Sequence, residues 1–136
     1  MLSISTKTQY GLIALLELTE SYGRNLVQIG DIVRRRNVPK NYLEQILNRL
    51  QKSGIVRSVR GTKGGYELGA HPDDITLKQV VEALEGALEL HNARLCAAFD
   101  EVLERIENSV GQLLQISLSA LLVRQKMLDQ QMFFSI

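Results

Sequence analysis

Cysteine and histidine are almost missing from this chain of 136 residues, which has one Cys and two His. Cys96 has no internal partner, which excludes a disulfide-built scaffold and makes a cytosolic location the simplest expectation. His71 and His91 are the only imidazoles, and no Cys/His or Ser/His/Asp set stands at an informative spacing. Acid–base catalysis and metal chemistry therefore have little material, and no enzyme is expected. Long apolar runs are missing too. A run such as Leu12 to Leu16 is far too short to span a bilayer, so no membrane association is expected. The start, Met1-Leu2-Ser3-Ile4-Ser5-Thr6-Lys7, shows no basic segment followed by an apolar one, so no secretory signal is expected. Internal repeats and low-complexity segments are absent. What remains is 45% apolar and 23% charged, the balance of a globular protein with a real core.

The formal net charge of +1 hides an asymmetry. Residues 1–70 carry eleven Lys/Arg against five Asp/Glu, and residues 71–136 carry five against ten. A basic first half points to a polyanion partner for that half, although solvated surface charge accounts for the same counts.

The first helix is predicted to start at Ser5, whose hydroxyl can accept from a first-turn N–H. Ser21-Tyr22-Gly23 breaks it, and Leu26-Val27 is a short extended link. Ile29, Ile32 and Val33 predict a second, short helix that ends on Arg34-Arg35-Arg36. Cations suit a helix C-terminus, so this run has a structural explanation beside a ligand-binding one. Asn37-Val38-Pro39 punctuates the chain, because Asn tolerates the left-handed conformation and proline suits the first turn of the next helix. Leu43, Ile46, Leu47 and Leu50 recur at helical spacing up to about Ser53, and Gly54 supplies the stop. The opposite face, Lys40, Asn41, Glu44, Gln45 and Asn48, is polar. Two helices joined by a tight turn, the second polar outside, form a helix-turn-helix pattern.

After Gly54 the pattern alternates. Ile55 to Arg60 and Tyr66 to Leu68 flank Gly61-Thr62-Lys63-Gly64-Gly65, which predicts a hairpin carrying Arg57, Arg60 and Lys63. A phosphate-binding loop at these glycines is excluded, since no Lys-Ser/Thr follows to open a helix. Residues 71–75 read as a linker. Thr76 and Gln79 form a capping box for a helix that buries Leu77, Val80, Val81 and Leu84 and ends at Gly86. A long helix follows between Arg94 and Gln115, with Phe99, Val102, Leu103, Ile106, Val110, Leu113 and Leu114 on one stripe. Ser117 caps a last helix with Leu118, Leu121 and Leu122 inward. The stripe either folds back on its own domain or pairs with the same helix of a second chain, and a helix-turn-helix favours the pair.

Several segments together resemble the IscR/NsrR/CymR-type winged-helix repressors of bacteria, the Rrf2 family. They are Ser5-Thr6-Lys7, Tyr42-Leu43-Glu44-Gln45, Ser58-Val59-Arg60-Gly61, Gly64-Gly65-Tyr66, Ile75-Thr76-Leu77 and Val81-Glu82-Ala83-Leu84-Glu85-Gly86. The likeness is close over residues 1 to about 90. It implies a homodimer on a pseudo-palindromic operator, with Lys40, Asn41, Tyr42, Glu44 and Gln45 in the base-reading segment and Arg60 entering the minor groove. Gln and Asn suit an adenine edge, Glu accepts from cytosine, and Arg suits a narrow minor groove. Ser5, Thr6, Lys7, Tyr42 and Lys63 are expected at phosphates, which position rather than specify. Against these roles, Glu44 also reads as a solvated helix residue and Tyr42 as a half-buried packing residue.

One departure from the family stands out. Iron–sulfur members carry three cysteines before the long helix, where this chain has Ala87 to Cys96 with a single thiol. Cys96 and His91 give two ligands per chain, too few for a cluster unless both chains or an acidic residue contribute, so no cofactor is expected. The chain resembles the cluster-free branch, in which the cysteine-metabolism repressor takes its signal through a partner enzyme. A regulatory partner protein is thus a further expectation. Cys96 itself reads as a small buried hydrophobe or as a redox-sensing thiol.

The expected fold is mainly α. Residues 1–70 form a winged helix-turn-helix DNA-binding domain, with recognition helix 39–53 and a two-stranded β wing at 55–68. Residues 71–136 form a helical dimerisation or sensor region with a long C-terminal dimerisation helix. The expected function is a cytoplasmic DNA-binding regulator, a repressor acting as a homodimer. The competing readings are an interaction module whose basic face binds an acidic protein, and an iron–sulfur or redox-sensing regulator that uses Cys96.

Overall fold

The computed structural model describes residues 3–90 and 96–134. Within them are six α-helices and one two-stranded antiparallel sheet. Helix α1 spans Thr6–Glu20, and the Ser5 hydroxyl accepts from the Thr8 N–H at 3.3 Å, as its sequence predicts. Thr8, Ala14, Leu15 and Leu18 are buried, so α1 runs through the core. Gly11 is what lets it approach its neighbours. A Cβ there would stand 2.8 Å from Leu84 Cδ1 and 3.1 Å from Ile46 Cγ2.

Helix α2 spans Ile29–Arg36 and stops at Asn37, whose φ of 55° is left-handed. Helix α3 follows over Lys40–Lys52. Pro39 is its N-cap rather than a first-turn residue, one position earlier than expected, and it still costs the helix no donor. Leu43, Ile46, Leu47 and Leu50 are buried, as their spacing requires. At the end of α3, Gly54 N–H donates to Gln51 O at 3.1 Å and Ile55 N–H to Leu50 O at 3.0 Å. This paired closure needs the left-handed φ of 81° that glycine supplies.

Strands β1 (Val56–Val59) and β2 (Gly65–Leu68) pair with Val56 opposite Leu68 and Val59 opposite Gly65. The hairpin is fastened to the body by Val27, which exchanges backbone bonds with Tyr66 at 3.0 and 2.8 Å. The extended link at Leu26-Val27 is thus a third, one-residue rung of the wing.

The linker contains a 3₁₀ turn, Pro72–Asp74. Helix α4 (Leu77–Glu85) opens with the expected capping box and ends at Gly86. Its remaining first-turn donors find partners at a distance. Leu77 N–H donates to Ile116 O at 2.8 Å and Lys78 N–H to Leu114 O at 2.9 Å. The turn between α5 (Ala97–Leu113) and α6 (Leu118–Phe134) is thereby locked to the start of α4. Ser117 caps α6 by accepting from the Ala120 N–H at 3.0 Å. The core joins residues of both halves of the chain, from Leu15 and Leu47 to Ile75, Val80, Leu84 and Leu118. Leu121 and Leu122 are half-buried. No residue of α5 is buried, and Phe99 and Leu113 are 58% and 74% exposed.

Candidate nucleic-acid interface

The exposed residues of the first two turns of α3 are Lys40, Asn41, Tyr42, Glu44 and Gln45. Asn41 and Gln45 stand opposite the buried Leu43–Leu47 face, with Lys40 and Glu44 on one flank and Tyr42 on the other, so the core fixes where they point. Lys40 Nζ lies 3.9 Å from Glu44 Oε1, a loose contact between two exposed side chains that does little to hold either.

Each flank of α3 is bordered by another basic element. On one side Ser5 and Lys7 share a surface cleft of about 530 Å³ with Gln45, Asn48 and Arg49. Tyr42 joins the two helices, because its ring stacks on Tyr10 with centroids 6.1 Å apart and carries Lys7 Nζ 5.7 Å above it. Tyr42 therefore packs and remains exposed on its outer side, and both readings of it hold. Thr6 is exposed beside them. On the other side Lys40 and Glu44 share a cleft of about 490 Å³ with Gly64, Gly65 and the start of α2. Gln28 Nε2 donates to Gly64 O at 3.3 Å and anchors the wing turn there. Arg60 and Lys63 are exposed in that turn and meet no carboxylate among the described residues. Among the described residues neither forms a hydrogen bond or an ion pair with α3.

Several other cations have carboxylate partners. Arg57 pairs across the hairpin with Glu67 at 2.7 Å. Arg34 pairs with Asp31, and Arg35 and Arg36 reach the buried Glu17 at 3.0 and 2.5 Å. The arginine run thus takes its structural explanation, with a partner 18 residues upstream that no local pattern could reveal. Sequence reasoning also missed Glu85. Its carboxylate accepts from the Ser5 N–H and the Thr8 hydroxyl, both at 2.7 Å, and these groups hold its pKa below the ordinary carboxylate range.

Cys96 is corrected in one respect. It is exposed at the N-cap of α5, not a buried hydrophobe. His91 lies outside the described residues. His71 is far from Cys96 in role, since it packs against Tyr22 and accepts from the Asp73 N–H.

The fold and this surface define a winged helix-turn-helix protein. Residues 4–124 match the Rrf2 family, described as an iron-dependent transcriptional regulator. The HTH-type transcriptional regulator CymR of Bacillus subtilis is 39% identical over 87 residues, 64% of this chain and 63% of that one. The match thus spans less than two thirds of that relative's length. The solved structure of the B. subtilis CymR, described as the global cysteine regulator, superposes with a TM-score of 0.81 at 35% identity, covering 91% of this chain and 98% of that one. The T. potens IscR structure gives a TM-score of 0.76 at 34% identity, with 91% and 88% covered. The chain belongs to the Rrf2 family of winged-helix, DNA-binding transcriptional regulators. The iron dependence in the family's description meets a poor donor set here. The chain has one thiol, and no group of three His, Cys, Asp or Glu converges among the described residues.

Proposed function

We propose that this protein is a cytoplasmic, non-enzymatic transcriptional repressor that binds a pseudo-palindromic operator as a homodimer. The observation that carries this reading is the exposed polar start of α3, bordered by Ser5 and Lys7 on one flank and by the wing turn on the other. In the proposed complex α3 enters the major groove and Gln45, Glu44 and Asn41 face base edges. Lys7, Tyr42, Ser5, Thr6 and Lys63 meet phosphates, and Arg60 enters the adjoining minor groove. Lys40 sits at the start of α3, where it reaches the phosphate or base nearest the wing.

Residues 1–70 form the DNA-binding region in this reading, and residues 71–136 the dimerisation and sensing region. Support for the dimer comes from α5. Phe99, Val102, Ile106 and Leu113 are exposed, with Leu103 and Val110 half-buried between them, on a 17-residue helix with no fully buried residue. An apolar stripe of that length in water calls for a second surface, and a second copy supplies it with two-fold symmetry. A regulatory partner protein acting on the same region belongs to the proposal.

The test is selection of duplexes from a random-sequence pool, followed by titration of the recovered duplex at two salt concentrations. We expect one symmetric sequence to be enriched, with affinity that falls steeply as salt rises. Enrichment of no sequence would refute the reading and leave the basic face to an acidic protein partner.

A further inference from the structure

Glu85 belongs to α4, outside the helix-turn-helix, yet its carboxylate is bonded into the DNA-facing end of α1. One oxygen, Oε1, takes both the Ser5 backbone N–H and the Thr8 hydroxyl, each at 2.7 Å. Thr8 is buried, and its N–H donates in turn to Ser5 Oγ at 3.3 Å. The same last turn of α4 is tied to the recognition helix. Arg49 Nη1, one turn beyond Gln45, donates to Leu84 O at 2.8 Å. Two successive residues of α4 thus hold the two elements that border the cleft between Lys7 and Gln45.

We propose that Glu85 is a positioning residue for DNA binding. It sets where Ser5, Thr6 and Lys7 stand relative to α3, and so whether both can meet the duplex together. This rests on the DNA-binding reading above. The mechanism is geometric. A helix start held by only its own cap frays, whereas one fixed by two charge-assisted bonds presents its N–H groups and Lys7 at a constant distance from Gln45. Glu85 is also the last helical residue before the segment that leads to α5. Gly86 ends α4, and Leu90 N–H is bonded to Glu107 of α5 at 2.5 Å. Displacement of α5 therefore has a short bonded path to the start of α1.

Because a single oxygen accepts both bonds, Glu85→Gln can keep them while losing the charge, and Glu85→Ala cannot. On the duplex recovered by selection we expect Glu85→Ala to bind about tenfold more weakly, the scale of one or two lost charge-assisted bonds. Its salt dependence should be shallower by about one phosphate contact. Base preference at each half-site should stay close to wild type, the melting temperature should fall by no more than about 5 °C, and Glu85→Gln should recover most of the affinity. Thr8→Val should weaken binding as well, and the double variant should be no weaker than Glu85→Ala alone. Wild-type affinity and salt slope for Glu85→Ala would overturn the proposal. So would a Gln variant as weak as the Ala variant, or a loss of affinity explained by unfolding. A wild-type chain that selects no sequence would instead defeat the DNA-binding reading itself.

Discussion

Glu17 offers a test in which the larger effect comes from the more exposed partners. Its side chain is 7% exposed, whereas those of Arg35 and Arg36 are 57% and 50% exposed. Replacing Glu17 with Leu removes the buried charge and lets both arginines turn into water, where they still suit the C-terminus of α2. Two charge-assisted bonds are lost and no charge is stranded, so the cost should be about 1–2 kcal/mol. Replacing both arginines with Ala leaves the carboxylate without its two cations on the wall of the cleft between α1 and α6, at up to about 3–5 kcal/mol. At roughly 3 °C per kcal/mol for a domain of this size, the melting temperature should fall by about 3–6 °C in the first case and by up to about 9–15 °C in the second. Adding Glu17→Leu to the double arginine variant should restore part of the loss, because it removes the stranded charge. The assay is thermal unfolding by circular dichroism at one fixed protein concentration. A double arginine variant that melts like wild type, or a triple variant no more stable than the double, would refute the reasoning.

Three other outcomes follow from the same structure. Ile106→Asp places a charge in the exposed stripe of α5, where a partner helix would have to desolvate it; sedimentation at micromolar concentration should show a monomer that has lost operator affinity, against a dimeric wild type. Gln45→Ala should cost roughly 1–3 kcal/mol on the selected duplex and relax one position per half-site, whereas Lys63→Ala should weaken all sequences alike. Arg60→Ala should hurt most where A·T flanks narrow the minor groove, and equal losses for all three variants on all duplexes would mean that only charge is read. Hydrogen bonds from Ser5 and Thr8 to Glu85, and from Lys126 to Glu20, hold both carboxyls below their ordinary range. Their stabilisation is therefore full above that range and lost as pH falls through the lowered values, so acid unfolding of Glu85→Gln should begin from a smaller plateau but drop less steeply.

Local features were legible in the sequence because their causes lie within a few residues. Ser5, Thr76 with Gln79, and Ser117 cap helices three residues away, Asn37 and Gly54 take the left-handed turns, and the apolar spacing in α3 fixes its buried face. The bonds that join distant elements are of another kind. Glu17 meets Arg36 across 19 residues, Arg49 meets Leu84 across 35, and Glu85 meets Ser5 across 80. No period or motif encodes such pairs, since they exist only once the helices have packed. The exposure of Cys96 escaped for a related reason. Its apolar neighbours suggest a core position, but α5 has no core of its own to enter.

The central claim is that two copies of α3, related by two-fold symmetry, read one duplex. Half-site spacing tests it most directly. The recognition helices of a dimer meet the duplex about one turn apart, or a multiple of it. Inserting about five base pairs between the half-sites of the selected duplex turns one of them to the opposite face. Affinity measured by fluorescence titration should then fall to that of random duplex, and inserting about ten should restore at least part of it. Affinity that is indifferent to the five-pair insertion would contradict a dimer reading two half-sites, and with it the roles of α3 in recognition and α5 in pairing.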